Sequence, residues 1–497
     1  MEKSLWQKDN DFIIGKEVKE DIETEILIIG AGITGVTTAY NLIDSGFDVV
    51  LIDREKYFNE TTAKSTGKLT YLQDLKYQEI CNIYDYETAK LYYESQKEAI
   101  RLVKKNVKEN KIDCSLEKEE AITFTTDEIE VPKFIKEEKI LEKLEVNYSN
   151  VSDTFKNNGV KHLISVKNTY VFNPVKYLKG LLKKIKKSNN IRIYENSIAT
   201  KIRKDDDYYV AIVNDFEIKT KKIILACNYP FFIIPGFIPL KTYMEKSYIT
   251  ATKVDKNKKI NGITSNYPTT SFRFYEEKDS KFFIYLSNSS KICDKLNFES
   301  NYNDTINTAK KITGKKPTYK WTNMDVMTND FLPLIGRISD EEKDVFIATG
   351  YNTWGMTTGT IAAKILVDLL KHKKNKYEKV FSPSRSMNLK KIKNFAVNTL
   401  SSNAKAYVLN LIKKNPSWYK NKALVTKEDG KRIGIYFDEE GKKHKVSNIC
   451  PHLKCFLNFN EVDKTWDCPC HGSRFDVDGN AIKGPSQYNI KIDETNE

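Results

Sequence analysis

Residues 25–55 read EILIIGAGITGVTTAYNLIDSGFDVVLIDRE, and this stretch decides the fold. The apolar run Ile26–Ile29 suits a strand buried on both faces of a parallel sheet. Gly30, Gly32 and Gly35 follow in G-x-G-x-x-G spacing, then a helical pattern, then a second apolar strand, Val49–Ile52, ending in Asp53. The first glycine permits a tight turn, the second lets backbone approach a pyrophosphate, and the third lets helix and strand pack closely. The helix N-terminus then offers free N–H groups and a favourable dipole to the anion. Asp53 is placed to accept hydrogen bonds from a ribose diol. Strand, helix, second strand and terminal acid together predict a βαβ unit that binds an adenine dinucleotide.

Outward from this unit, the chain alternates helical and strand signals. Helices are expected over 87–104 and 174–187, a buried strand over 222–226, and strands within 240–290. Residues 76–173 show no catalytic pattern. A further buried strand, Val345–Gly350, runs into the glycine-marked segment YNTWGMTTGTIAAKILVDLL, which opens an apolar helix.

The chain has 497 residues and a formal net charge of +14. Counting by segment gives net +3 for 1–370, +12 for 371–420 and −1 for 421–497, so the excess is one basic block between nearly neutral regions. Only nine of the 81 basic residues are arginine, the side chain that bidentate base and phosphate recognition favours. Nucleic-acid binding is therefore not expected. In the block, Ile392, Phe395, Ala396 and Leu400, then Ala404, Tyr407, Val408, Leu411 and Ile412, recur at helical spacing. Two amphipathic helices packed on the protein's own domains are the expectation, with peripheral membrane or partner docking as the alternative. The N-terminus is charged and carries no signal-type apolar core, and no apolar run reaches the ~20 residues of a spanning helix. A soluble, cytoplasmic protein is expected.

Beyond Pro416 the pattern changes to short strands with turns at Glu428-Asp429-Gly430 and Glu439-Glu440-Gly441. Here lies CPHLKCFLNFNEVDKTWDCPCHGSRFD: Cys450-x-His452, fifteen residues, then Cys468-x-x-His471. Each loop offers one thiolate and one imidazole. That set suits a 2Fe-2S centre of Rieske type, with two cysteines on one iron and two histidines on the other. Zinc is the alternative for the same donors, although the one-residue Cys–His spacing is atypical of zinc fingers.

These loops resemble the Rieske family of cytochrome bc type. The resemblance implies that Cys450, His452, Cys468 and His471 ligate the cluster and that Cys455 and Cys470 form a disulfide between the loops. Gly484-Pro485 resembles the family's third loop. Two positions depart from the pattern. Lys454 stands where glycine is usual, so the backbone is expected to differ there. Phe475 replaces a tyrosine that hydrogen-bonds a ligand sulfur, which should lower the potential within the range of about −150 to +300 mV, while Ser473 is retained.

The first 370 residues resemble the D-amino-acid-oxidase-like FAD oxidoreductases, glycine and sarcosine oxidases among them. The likeness rests on the fingerprint, Asp53, TTAKSTGKLT (Thr61–Thr70), DFLPLIG (Asp330–Gly336) and ATGYNTWGMTTGTIAAK (Ala348–Lys364). It implies that Thr66, Gly67, Gly350, Gly355, Met356 and Thr357 contact FAD. Relatives often have a Gly-Gly strand end near the flavin, whereas this chain has Leu286-Ser287-Asn288-Ser289. Arg273 could pair a substrate carboxylate or be structural, and no catalytic residue is assigned. The whole arrangement resembles a bacterial fusion family.

The expected architecture follows. Residues 1–23 form an N-terminal extension. Residues 24–370 form an α/β Rossmann-type FAD domain (24–75, 174–235 and 320–370) interleaved with an α+β substrate domain (76–173 and 236–319). A basic helical linker, 371–420, leads to a small all-β Rieske domain, 421–497. The expected path runs from a small amine or amino-acid substrate to FAD, singly to the cluster, and on to an external acceptor. An electron-transfer or redox-sensing protein without a small-molecule amine substrate, or reverse flow from the cluster to FAD, fits the same residues.

Overall fold

The computed structural model describes residues 3–8, 15–56, 60–151, 159–231, 238–256, 258–277, 280–292, 298–385, 417–419 and 423–492. The fingerprint strand Ile22–Ile29 lies in the middle of an eight-stranded sheet. It pairs in parallel with Val49–Ile52 on one side and Phe216–Leu225 on the other. Ile191–Tyr194 and Val345–Thr349 extend the parallel core outward, and Leu334–Arg337 closes one edge antiparallel. All four residues of Val49–Ile52 and all five of Val345–Thr349 are buried, since one sheet face packs on helices and the other on an apolar cluster that includes Ala199, Tyr209, Ala211 and Val213. The helices Ile33–Asn41 and Gly355–Leu370 pack against each other on one face. This is the expected Rossmann-type α/β layer, with the hairpin Ala199–Asp205/Tyr208–Val213 attached to Phe216–Leu225.

A second, nine-stranded sheet stands over it. Its spatial order runs Tyr319–Thr328, Thr242–Val254, Ser280–Lys291, Ser271–Glu277, Ile260–Thr264, Glu117–Thr125, His162–Val171, Lys68–Leu69, with the short Tyr148–Ser149 also paired to His162–Val171. Tyr319–Thr328, Glu117–Thr125, His162–Val171 and Lys68–Leu69 went unread in the sequence. Glu117–Thr125 opens on EKEE, which masks its alternation, and His162–Val171 carries a polar break at Lys167-Asn168. Tyr319–Thr328 pairs with Thr242–Val254 in this sheet, and its residues from 320 fall in the stretch 320–370 expected to belong to the FAD domain.

The start of the segment expected as a basic helical linker, 371–385, packs on the flavoprotein half. Tyr377 and Phe381 are buried in the flavoprotein core. Arg385 forks onto Asp330, with Nε and Nη2 each 2.8 Å from a carboxylate oxygen, and caps the Leu332 and Pro333 carbonyls. Burial of two aromatics and a bidentate ion pair bind 371–385 to the FAD unit. The two amphipathic helices expected around 392–400 and 404–412 lie outside the described residues.

The C-terminal region forms two four-stranded sheets. The hairpins Ala423–Glu428/Lys431–Phe437 and Lys431–Phe437/Lys443–Ser447 turn where the sequence placed them. Trp466 fills the centre: a Cβ on Gly434 would lie 2.7 Å from its ring, and Phe459 packs edge-on at 5.0 Å. Among the described residues, no helix is long and apolar enough to cross a membrane.

Candidate functional site

A cavity of about 510 Å³ lies between the two large sheets and reaches the C-terminal module. Gly30, Gly32, Asp53, Thr66, Gly67, Gly355 and Met356 line it. Gly35, Gly350 and Thr357 stand behind its wall. A Cβ on Gly35 would sit 1.8 Å from the Gly30 carbonyl, so it is the packing glycine of the fingerprint. Gly350 has φ +72° and abuts Thr328, while the Thr357 hydroxyl accepts from Gln73.

The cradle fits a dinucleotide. Asp53 accepts the Ala31 N–H at 2.7 Å and the Glu55 N–H at 3.1 Å, which ties the end of the second strand to the glycine turn. Burial pushes its carboxyl up to about 6 against those two donors. Thr62 accepts the Ile33 N–H at 3.0 Å, and Tyr351 bonds Thr34 at 2.7 Å, so the helix N-terminus is framed on two sides.

The loop of residues 63–67 that carries Thr66 and Gly67, the Thr/Gly loop, is held from outside the cavity. Five consecutive carbonyls, 63 to 67, each accept a side-chain donor. Ser4 Oγ donates to Ala63 at 2.6 Å, Trp321 Nε1 to Lys64 at 2.8 Å and Trp6 Nε1 to Ser65 at 2.7 Å. Arg273 Nη1 donates to Thr66 at 2.9 Å and Gly67 at 2.8 Å. With the loop's acceptors turned outward and satisfied, its other face is left to the cavity. Gly67 adopts φ +70°, and a Cβ there would strike the Phe172 carbonyl at 2.5 Å. Arg273 is thus a brace: it is 1% exposed and its donors go to backbone carbonyls.

The cluster loops lie at the other end. Cys450 and Cys468 are buried free cysteines, while Cys455 and Cys470 form a disulfide. The His452 and His471 rings lie 5.2 Å apart at 89°. Nδ1 of His452 and both ring nitrogens of His471 are buried with no hydrogen-bond partner. Burial holds the His452 imidazole down at about 4. Burial, then the His452 charge, holds His471 down at about 3, so both rings are neutral and ready to donate lone pairs. A hydrogen bond shared between Cys450 and Cys468 pulls the Cys450 thiol down to about 7 and pushes Cys468 up. Ser473 adds a hydrogen bond to Cys450 and accepts the Ser486 N–H of the third loop at 3.0 Å. Two thiols and two unpartnered imidazoles fit a mixed-ligand 2Fe-2S centre. Lys454 has φ +57°, the left-handed conformation that favours glycine, so the backbone keeps the glycine geometry.

The two sites share one cavity. His471, Gly472, Lys483, Gly484 and Gln487 line its far end. Tyr229, from the flavoprotein half, is buried against both imidazoles, 6.1 Å from His452 and 5.1 Å from His471 by ring centroid. Arg54 Nη1 donates to the Gly484 carbonyl at 2.9 Å, and Lys483 pairs with Glu60 at 3.0 Å. Burial alone would raise Glu60, but Lys483 and Lys64 outweigh it and hold it at about 2. Lys246, 1% exposed at its side chain, reaches from the nine-stranded sheet to Asp463 (3.7 Å) and Asp467 (3.9 Å), which Arg474 also grips. Arg54, Tyr229 and Lys246 were not singled out in the sequence: Arg54 follows the fingerprint acid but acts on the distant Gly484, and no local motif surrounds the other two.

The FAD dependent oxidoreductase family matches residues 25–369, and the Rieske [2Fe-2S] domain matches residues 411–493. The Rieske 2Fe-2S iron-sulfur protein YhfW of Bacillus subtilis (strain 168) is 32% identical over 98% of this chain and 97% of its own length. A cytochrome b6-f complex iron-sulfur subunit of Nostoc punctiforme is 33% identical over 14% of this chain and 39% of its own. Glycine oxidase from Geobacillus kaustophilus shares the fold over 74% of this chain and 100% of its own, with TM-score 0.61 and 13% identity. The cofactors that follow are FAD and a 2Fe-2S cluster. With the cradle, the donor set and these matches together, the chain belongs to the FAD-dependent oxidoreductase family and carries a Rieske domain at its C-terminal end.

Proposed function

We propose that the protein oxidises a small amine or amino acid at FAD and passes the electrons singly to its own cluster and on to an external acceptor. The observation that carries this reading is the shared cavity, lined at one end by Gly30 and Asp53 and at the other by His471. FAD, when bound, supplies hydride acceptance from carbon and release of electrons one at a time. We assign Cys450, Cys468, His452 and His471 as cluster ligands, and the cavity-lining residues of the fingerprint, the Thr/Gly loop and Gly355-Met356 as FAD contacts. Gly350 and Thr357 would act on that site through the backbone turn and the Gln73 bond.

The chain's own residues do the positioning. The braced loop keeps the cofactor face of the cavity fixed without reorganisation at each turnover. The Lys246–Asp463–Asp467–Arg474 network and the Arg54–Gly484 bond hold the cluster loops against the flavoprotein half, so the cluster module need not swing to exchange electrons. Tyr229 and Met244, both buried, line the cavity between the two ends. The test is anaerobic incubation with a panel of small amines and amino acids, followed by optical spectra. Bleaching of the flavin by a panel member supports the reading. A flavin bleached only by a protein donor, and by no small molecule, would overturn it in favour of a redox relay.

A further inference from the structure

The nine-stranded sheet places an ammonium group in the cavity that the reading above does not use. Lys68 sits directly after the braced Thr66-Gly67 pair and is 7% exposed. Its Nζ donates to the Gly262 carbonyl at 2.7 Å and to Ser271 Oγ at 2.7 Å, spanning two neighbouring strands. An ammonium has three donors, so one is left, and both Lys68 and Ser271 line the cavity. No carboxylate lies within ion-pair distance of Lys68 among the described residues.

Charge counting around this point leaves an excess. Two buried cations, Lys68 and Arg273, stand near each other, and the one carboxylate whose field reaches both is Glu119. Glu119 is itself buried and accepts from Asn261 at 3.4 Å. Arg273 spends its donors on backbone carbonyls behind the loop, so the uncompensated charge presents itself through Lys68. A buried cation without a counter-ion is costly and is normally paired. Burial, then repulsion from Arg273, brings the Lys68 ammonium down to about 7, as expected for a group short of an anion.

We propose that Lys68, steadied by Ser271, is the anion anchor of the substrate chamber, and that the substrate is an amine bearing a carboxylate which Lys68 binds. Arg273 is thereby replaced as the carboxylate partner by a residue one position beyond the loop it braces. The proposal rests on the amine-oxidation reading, and it is tested by binding rather than turnover so that the two can fail separately.

The experiment uses the full chain loaded with FAD and cluster. Benzoate, which cannot be oxidised at an amine, is titrated while the flavin absorbance is followed, with neutral benzamide in parallel. Wild type is expected to bind benzoate saturably and benzamide at least about tenfold more weakly, and Lys68→Met to lose about tenfold or more in benzoate affinity, the scale of one charge-assisted hydrogen bond. The benzamide affinity and the flavin midpoint potential should stay unchanged. Unchanged benzoate affinity in Lys68→Met overturns the proposal. So does a lowered flavin potential with benzoate binding intact, since Lys68 would then serve the flavin ring itself. Should Lys68→Met fail to fold, the wild-type comparison decides alone: benzamide binding as tightly as benzoate, or no benzoate binding, rejects an anion anchor. Flavin reduction by amines without benzoate binding would leave amine oxidation standing and remove only the anchor.

Discussion

The two cofactor sites hold their loops in contrasting ways. The flavin-side loop, 63–67, is fixed by side chains from residues 4, 6, 273 and 321, drawn from almost the whole flavoprotein half. The cluster loops are fixed from within a short stretch. A disulfide joins them, Cys468 N–H bonds the Ser473 carbonyl at 2.7 Å, Cys450 N–H bonds the Cys455 carbonyl at 2.8 Å, and Ser473 ties in the third loop. One site is a product of the complete fold, and the other is nearly a closed unit. Damage should therefore spread differently in the two halves.

The largest effect is expected for Gly35→Ala. Its Cβ would overlap the Gly30 carbonyl, so helix and strand must separate, at a cost of about 3 kcal/mol or more. FAD content should collapse while the electron paramagnetic resonance signal of the cluster persists. Loss of both signals together would break the contrast between the halves. Arg273→Met comes next. It takes a donor from the buried carbonyls of Thr66, Gly67 and Phe172, of which Gly67 keeps the Phe172 N–H, for about 2–4 kcal/mol, read as a lower melting temperature and faster FAD loss with an unchanged cluster. Trp6→Phe removes one bond from the same loop and should cost about 1 kcal/mol, which shows that the N-terminal segment belongs to the flavin site.

Two smaller effects sharpen the cluster side. Lys454→Gly relieves a left-handed residue and should stabilise the C-terminal module by about 1 kcal/mol in thermal unfolding. His444 lies between Asp478 (2.7 Å) and Asp438 (3.1 Å); burial opposes its charge, but these two carboxylates raise its pKa above the usual 6.5. Its contribution is full below the unfolded value and is lost as pH rises through the higher folded one. Unfolding of the module should therefore become easier between mildly acidic and mildly alkaline pH, and His444→Gln should flatten that slope.

The same contrast explains what could be read in advance. The cluster donors fall within 22 residues, 450–471, and their chemistry is visible as a string. The fingerprint is equally local, so the parallel core and Asp53 were legible too. Arg273 was not assignable, because a buried guanidinium serving carbonyls and one awaiting a substrate look identical in sequence. The loop brace joins residues up to about 320 positions apart, as Ser4 and Trp321 are, which no pattern of period 2 or 3.6 records. The interface residues Lys246 and Tyr229 gain meaning only from the module docked against them. Net charge also misled at first sight: the +14 is concentrated in 371–420, whereas 371–385 is already part of the flavoprotein fold.

The central claim is that electrons cross from FAD to the cluster inside one chain. Rapid anaerobic mixing of oxidised protein with an amine that bleaches the flavin tests it directly, with flavin absorbance and the cluster's electron paramagnetic resonance signal followed together. The cluster signal is expected to rise after flavin bleaching with a first-order rate that does not change with protein concentration. A cluster that stays oxidised while the flavin is fully reduced, or a rate proportional to protein concentration, would contradict it.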